Sequence, residues 1–185
     1  MTPNTLHSFL LPACKPLFPE HLMDSNAQAM ILAIGLQESD LKHRQQLIGR
    51  NRNWWQSING PATSFWQFEK IGIKGVIEHR TAGPMFKTVC DLLGYPTDVD
   101  VIHKAIINND ILAVALARCL LWTVPEKLPE IGDYASAWGQ YLSAWRPGKP
   151  SPLRWMQRYD LACDVIGNKS ADTLSKRILS AEGGL

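Results

Sequence analysis

Apolar positions along this 185-residue chain recur mainly three and four residues apart, the spacing of helices rather than strands. The densest such segment, "SNAQAMILAIGLQESDL", predicts a helix from about Ser25 to about Leu41. Ser25 and Gln28 have the spacing of a capping box, and Asp24 is a second cap candidate. Further helices are predicted at Pro84–Leu93, stopped by Gly94, and at about Val99–Asn108, capped by Asp98. The very apolar "ILAVALARCLLW" after Asn109 and Asp110 suits a buried core helix. Ile131–Trp145 is helical up to "RPGKP", and Pro152–Val165 and a short amphipathic piece, Ser170–Ala181, complete the set. A short helix is read at about Gly75–Glu78. Residues 1–24 hold four of the twelve prolines and little periodicity, so they read as an irregular arm packed on the domain. Lys42 to Pro61 is polar and rich in Asn and Gly, which predicts a long loop with a helical turn around Trp54 and Trp55. No segment alternates like a strand, and any β element is small, near residues 60–75. The fold class is mainly α, one globular domain spanning residues 25–185 behind the arm.

Composition narrows the function classes. Apolar residues make up 45% and charged residues 19%, the balance of a chain that buries a core. The net charge of +2 comes without a basic cluster, which argues against a nucleic-acid binder. No apolar run reaches the ~18 residues of a membrane span. The four cysteines, Cys14, Cys90, Cys119 and Cys163, form no C-x-x-C pair and read as buried free thiols. The five histidines show no metal-ligand spacing, so neither metal nor cofactor is expected. The apolar "LHSFLLPAC" lacks a preceding positive region and is broken by Pro12 and Pro16, a poor signal peptide.

One residue breaks the pattern. With Ala27 at zero and about 100° per residue, Ile31 falls near 40°, Ile34 near 340°, Leu41 near 320° and Glu38 near 20°. Glu38 thus lies inside an apolar stripe. Either the helix ends by Gln37 and Glu38 turns into water, or a carboxyl is held among apolar side chains. In the second case burial disfavours the charged form, and the raised pKa suits a general acid.

Glu38-Ser39 at the end of a buried helix resembles the Glu-Ser motif of lysozyme-like lytic transglycosylases. Pro61–Gln67, "PATSFWQ", looks like a divergent form of that family's G-x-x-G-L-M-Q motif. Ser64 stands at the second Gly, Phe65 and Trp66 replace Leu-Met, and Gln67 keeps the Gln. Its third motif, A-x-A-Y-N, is echoed by "ASAWGQY", with Ala135 and Ala137 matching, Trp138 at the Tyr position and Tyr141 nearby. The three occur in the family's order over about residues 25–150.

The resemblance implies a lysozyme-like fold and cleavage of the β-1,4 bond between N-acetylmuramic acid and N-acetylglucosamine in peptidoglycan. Glu38 would be the single catalytic acid and base. Ser39, Ser64, Phe65, Trp66, Gln67, Trp138 and Tyr141 would bind substrate, and Arg146 and Lys149 are candidates to meet its carboxylates. Trp122, Trp145 and Trp155 read as core. A hydrolase, muramidase or chitinase-like, would add a second carboxylate, for which Glu69 is better placed than Asp40. The divergence has the flavour of phage or prophage wall-degrading enzymes. Such a protein would be made in the host cytoplasm without a signal peptide. It would reach the wall from the periplasmic side, or be carried among virion proteins. A non-catalytic virion or wall-binding protein on the same scaffold is the reading from another class.

Overall fold

The computed structural model describes residues 1–50 and 57–167. Residues 54 and 55 and the amphipathic piece at 170–181 lie outside the described residues.

The N-terminal segment is helical, which corrects its reading as an irregular arm. α1 (Pro3–Thr5), a π-helical stretch (Leu6–Leu10), α2 (Leu11–Cys14) and a 3₁₀ turn (Lys15–Leu17) follow one another without a break, and a second 3₁₀ turn spans Glu20–Met23. The prolines that argued against helix sit at the starts of these stretches. There the missing N–H has no intrahelical partner to lose. Leu6, Leu11 and Cys14 are fully buried, so this segment belongs to the core.

α3 (Ser25–Ser39) is the central helix, buried on nearly every side. Asp24 is its cap, accepting from the Ala27 N–H at 2.8 Å. Gln28 turns away from the expected capping box and donates to the Met23 carbonyl instead. After α3 the chain forms an antiparallel hairpin, β1 (Gln45–Arg50) and β2 (Ser57–Thr63), with Gln45 opposite Thr63 and Arg50 opposite Ser57. This corrects the reading of 42–61 as a loop. The pairing is non-local, and polar strands with one irregular ladder carry no period-2 apolar signal. The small β element expected near residues 60–75 is met by the end of β2, at residues 60–63, and the window closes on the start of α4 (Lys70–Glu78). Gly72 and Gly75 hid that helix, since glycine is the poorest helix former after proline.

α5 (Ala82–Leu93), α6 (Val99–Ala105), α7 (Asp110–Leu121), α8 (Tyr134–Trp145) and α9 (Pro152–Ile166) complete the described chain. Asp98, Asn109, Asp133 and Ser151 cap α6 to α9 with side-chain acceptors. The protein is mainly α, with one small sheet and one core among the described residues. α3 packs along α9 and touches α7, whose residues from Leu112 to Cys119 are buried. α4 and α5 meet closely at Gly83, where a β-carbon would stand 2.3 Å from the Ile77 carbonyl oxygen. All four cysteines are buried free thiols, and burial pushes Cys14 and Cys119 up to about 12. Among the described residues no helix is long and apolar enough to cross a membrane.

Candidate active site

Glu38 is the last residue but one of α3, and the way the helix stops keeps it in place. Asp40 (φ 52°) and Leu41 (φ 55°) are both left-handed. Their N–H groups bond back to the Leu36 and Gly35 carbonyls, which satisfies the last turn. Leu41 then folds under the helix, fully buried, against Gly35, where a β-carbon would meet Leu41 Cδ2 at 2.7 Å. The chain therefore leaves the core after Leu41, and Glu38 stays half-buried.

The turn at Ser64–Gln67 is fastened beneath that helix end. The Ser39 hydroxyl donates to the Phe65 carbonyl at 2.7 Å, and the Trp66 indole N–H donates to the Ile31 carbonyl at 2.8 Å. Ser64 (φ 66°) and Gln67 (φ 52°) are left-handed, a conformation that favours glycine, the residue expected at position 64 in the resembling motif. Thr63 and Phe68 exchange both backbone hydrogen bonds across the turn. The Gln67 amide donates to the carbonyls of Ser64 and His43, tying the turn to the approach of β1.

α8 supplies the third wall. The Tyr141 hydroxyl donates to Glu38 Oε1 at 2.7 Å. The Tyr141 ring stacks on Trp155 of α9 with centroids 4.6 Å apart and planes 11° apart, and Trp155 stacks in turn on Tyr159. Trp138 leans on both Tyr141 and Trp155. The phenol is thus aimed by an aromatic stack rather than by its own hydrogen bond alone. At the end of α8 the Trp145 indole donates to the Trp66 carbonyl, and its ring meets Phe68.

These elements enclose an open cleft of about 950 Å³. Glu38, Gln67, Phe68, Tyr141 and Trp145 line it, with Glu69, Ile71 and Gly72 from the start of α4. Arg146, Lys149 and Arg154, from the end of α8 to the start of α9, also line it. Burial raises the Glu38 pKa above its ordinary 4.5. The Tyr141 hydrogen bond and the nearby Arg154 charge favour the ionised form but only partly offset that. Tyr141 itself is raised by burial and by the neighbouring Glu38 charge, so it stays a donor. Among the described residues no group of three or more His, Cys, Asp or Glu is gathered for a metal ion.

Several residues expected at substrate sit elsewhere. Ser64, Phe65 and Trp66 are at most 2% exposed, so they build the floor and do not touch a ligand in the cleft. Ser39 borders the cleft, but it is buried and its hydroxyl is engaged with the Phe65 carbonyl, a fastener between two segments. Trp138 does not line the cleft; it backs Tyr141. Gln67 and Tyr141 do line it, and Tyr141, three residues after the aromatic position read from the sequence, is the one that reaches Glu38. Glu69 is exposed on the same cleft. Asp40 is taken up by Arg158 at 2.6 Å and Arg154 at 3.6 Å. Trp145, read as core, lines the cleft, and Arg154 was missed altogether. Helical phase alone cannot show that α9 brings its first turn beside Glu38.

No family model, no curated protein and no solved structure matches this chain.

Proposed function

We propose that the protein cleaves the glycan strand of bacterial peptidoglycan between N-acetylmuramic acid and N-acetylglucosamine, by the lytic transglycosylase route. The observation that carries this reading is the Glu38 carboxyl: half-buried, raised in pKa, held on Oε1 by Tyr141 and open to a cleft of sugar-binding size. Three segments that resemble the motifs of that family meet around it, from as far as 103 residues along the chain.

The chemistry needs a carboxyl that carries a proton near neutral pH. Glu38 gives that proton to the glycosidic oxygen as the bond to the muramic C1 breaks, and the sugar's own acetamido oxygen supports the developing charge at C1. The resulting carboxylate then takes the proton of the C6 hydroxyl, whose oxygen bonds to C1. The products are a 1,6-anhydro end and a free 4-hydroxyl; no water is consumed and Glu38 ends protonated. Tyr141 keeps one carboxyl oxygen fixed, so the other is the one that exchanges the proton. Trp145, partly exposed on the cleft, offers an apolar face to a sugar ring.

A hydrolytic route is the second reading, favoured by one observation: Glu69 opens on the same cleft and stands ready to activate water. A peptidoglycan zymogram with wild type and Glu38→Gln tests the activity. Clearing by wild type alone is expected; equal clearing by both overturns the role of Glu38, and clearing by neither leaves the non-catalytic alternative. Mass spectrometry of the released fragments separates the routes: anhydro ends for transglycosylation, reducing ends for hydrolysis.

A further inference from the structure

The charges lining the cleft are unevenly placed. Among the described residues its carboxylates are Glu38 and Glu69, whereas Arg146, Lys149 and Arg154 all come from one nine-residue segment. That segment is stiff. Arg146 ends α8 in a left-handed conformation, Pro147, Pro150 and Pro152 each fix their own φ, and Ser151 caps α9. A stiff connection holds its cations in one place at little entropic cost on binding.

Arg154 is bonded to Asp40 only at 3.6 Å, while Arg158 holds the same carboxylate at 2.6 Å. Asp40 would thus stay paired if Arg154 turned to a ligand. Arg146 and Lys149 are exposed at the rim. The start of α4, on the same cleft, offers Ile71 and Gly72 and no cation. Ile71 is 74% exposed there, apolar surface without a protein partner.

We infer that the Arg146–Arg154 segment is a carboxylate-reading subsite, which selects glycan strands bearing anionic substituents over neutral ones. The inference rests on the glycan-strand reading of the cleft. In such a strand the neutral amino sugar carries no carboxylate, whereas the muramic residue carries a lactyl ether, a free carboxylate where no peptide is attached and otherwise amide-linked to a stem peptide that bears its own carboxylates. Guanidinium groups pair with carboxylates in a planar, two-bonded geometry, and the lysine adds a mobile point charge. The subsite would fix which sugar sits beside Glu38, because only alternate rings present the anion.

Binding by the Glu38→Gln protein tests this without requiring turnover. Its co-sedimentation is measured with three insoluble polymers, namely intact peptidoglycan, peptidoglycan whose carboxyls have been capped with methylamine, and chitin, and in competition with the soluble strands that an amidase releases, which keep only the lactyl carboxylate. Intact polymer should bind best, and capping should weaken binding roughly tenfold, since two to three exposed charge contacts are lost. Arg146→Gln with Lys149→Gln, added to Glu38→Gln, should bind intact polymer about as weakly as the parent binds capped polymer. It should lose little further on capping. Stripped strands that compete show that a free lactyl carboxylate also satisfies the subsite; stripped strands that do not compete assign the stem peptide. Equal binding of intact and capped polymer by the parent protein overturns the subsite, as does an undiminished response to capping in the double-charge variant. Failure of the zymogram with charge-dependent binding retained removes the catalytic reading and leaves the subsite standing.

Discussion

At the scale of single residues, Glu38 is poised by competition between dehydration and polar contacts. Dehydration raises its pKa; Tyr141 and the Arg154 charge pull the other way and lose. The sign for stability follows. Below the ordinary carboxyl range both folded and unfolded chains carry the proton, and Glu38 costs nothing. As pH rises from about 4.5 through the raised folded value, the unfolded chain ionises first and stability falls. Above the folded value the cost is complete. Glu38→Gln keeps an acceptor for Tyr141 and never ionises. It should raise Tm at pH 8 and leave it unmoved at pH 4, a comparison that calorimetry makes directly. The proposed reaction needs the protonated acid, so activity should fall as pH rises through the same raised value. Tyr141→Phe removes a hydrogen bond that favours the ionised form. The alkaline limb of the pH–rate profile should therefore move to higher pH, with kcat reduced about tenfold from lost positioning. A limb that stays put would show that Glu38 does not set it.

At the scale of elements, the site depends on close approaches that only particular residues permit. Gly35 lets Leu41 and the Trp66 indole lie against α3, and Gly83 lets α5 start against the end of α4. Gly83→Ala would drive its methyl into the Ile77 carbonyl, and chemical denaturation should show a loss of about 1–3 kcal/mol. Gly75 is the contrasting case, with nothing within 4 Å of an added β-carbon in the interior of α4. Gly75→Ala should therefore stabilise by about 0.5–1 kcal/mol in the same assay, from helix propensity alone. Ser39→Ala leaves the Phe65 carbonyl without its donor in a dry place, at a cost of about 1–3 kcal/mol. Activity should suffer with it, because the turn that ends in Gln67 loses its fastening to the helix that carries Glu38.

At the scale of the molecule, α3, α8 and α9 act as one unit through the stack Tyr141–Trp155–Tyr159. Trp155 is 1% exposed and sits in the middle of it. Trp155→Ala should cost about 3–5 kcal/mol and lower Tm by roughly 10 °C or more. Activity measured well below that Tm should drop as far as in Tyr141→Phe, since the phenol loses the surface that aims it. Full activity in that variant would mean that the hydrogen bond alone positions Tyr141. Arg158 of α9 and Asp40 at the end of α3 clamp those two helices at the cleft edge, which leaves Arg154 free to serve a ligand.

The order of helices, their caps at Asp24, Asp98 and Asn109, and the apolar setting of Glu38 were all legible in the chain, because each is decided by neighbours within a turn or two. Even the helical N-terminal segment left local marks, its prolines standing at helix starts. What the chain alone left undecided depends on partners far along it. The hairpin needed the pairing of Gln45 with Thr63. Trp138 stood at the aromatic position of the third motif, with both Trp138 and Tyr141 read as substrate contacts, and packing made Tyr141, three residues on and nearly one turn of α8 away, the partner of Glu38. Ser64, Phe65 and Trp66 were read as contacts, but α3 lies over them and makes them a floor. Arg154 came to the cleft only because α9 packs along α3. Helix formation is set by short-range propensity and capping, whereas which face meets which is set by the burial of a shared core; sequence therefore determined most of the helices from α3 onward and the apolar setting of Glu38, and tertiary packing decided the hairpin and what surrounds that carboxyl.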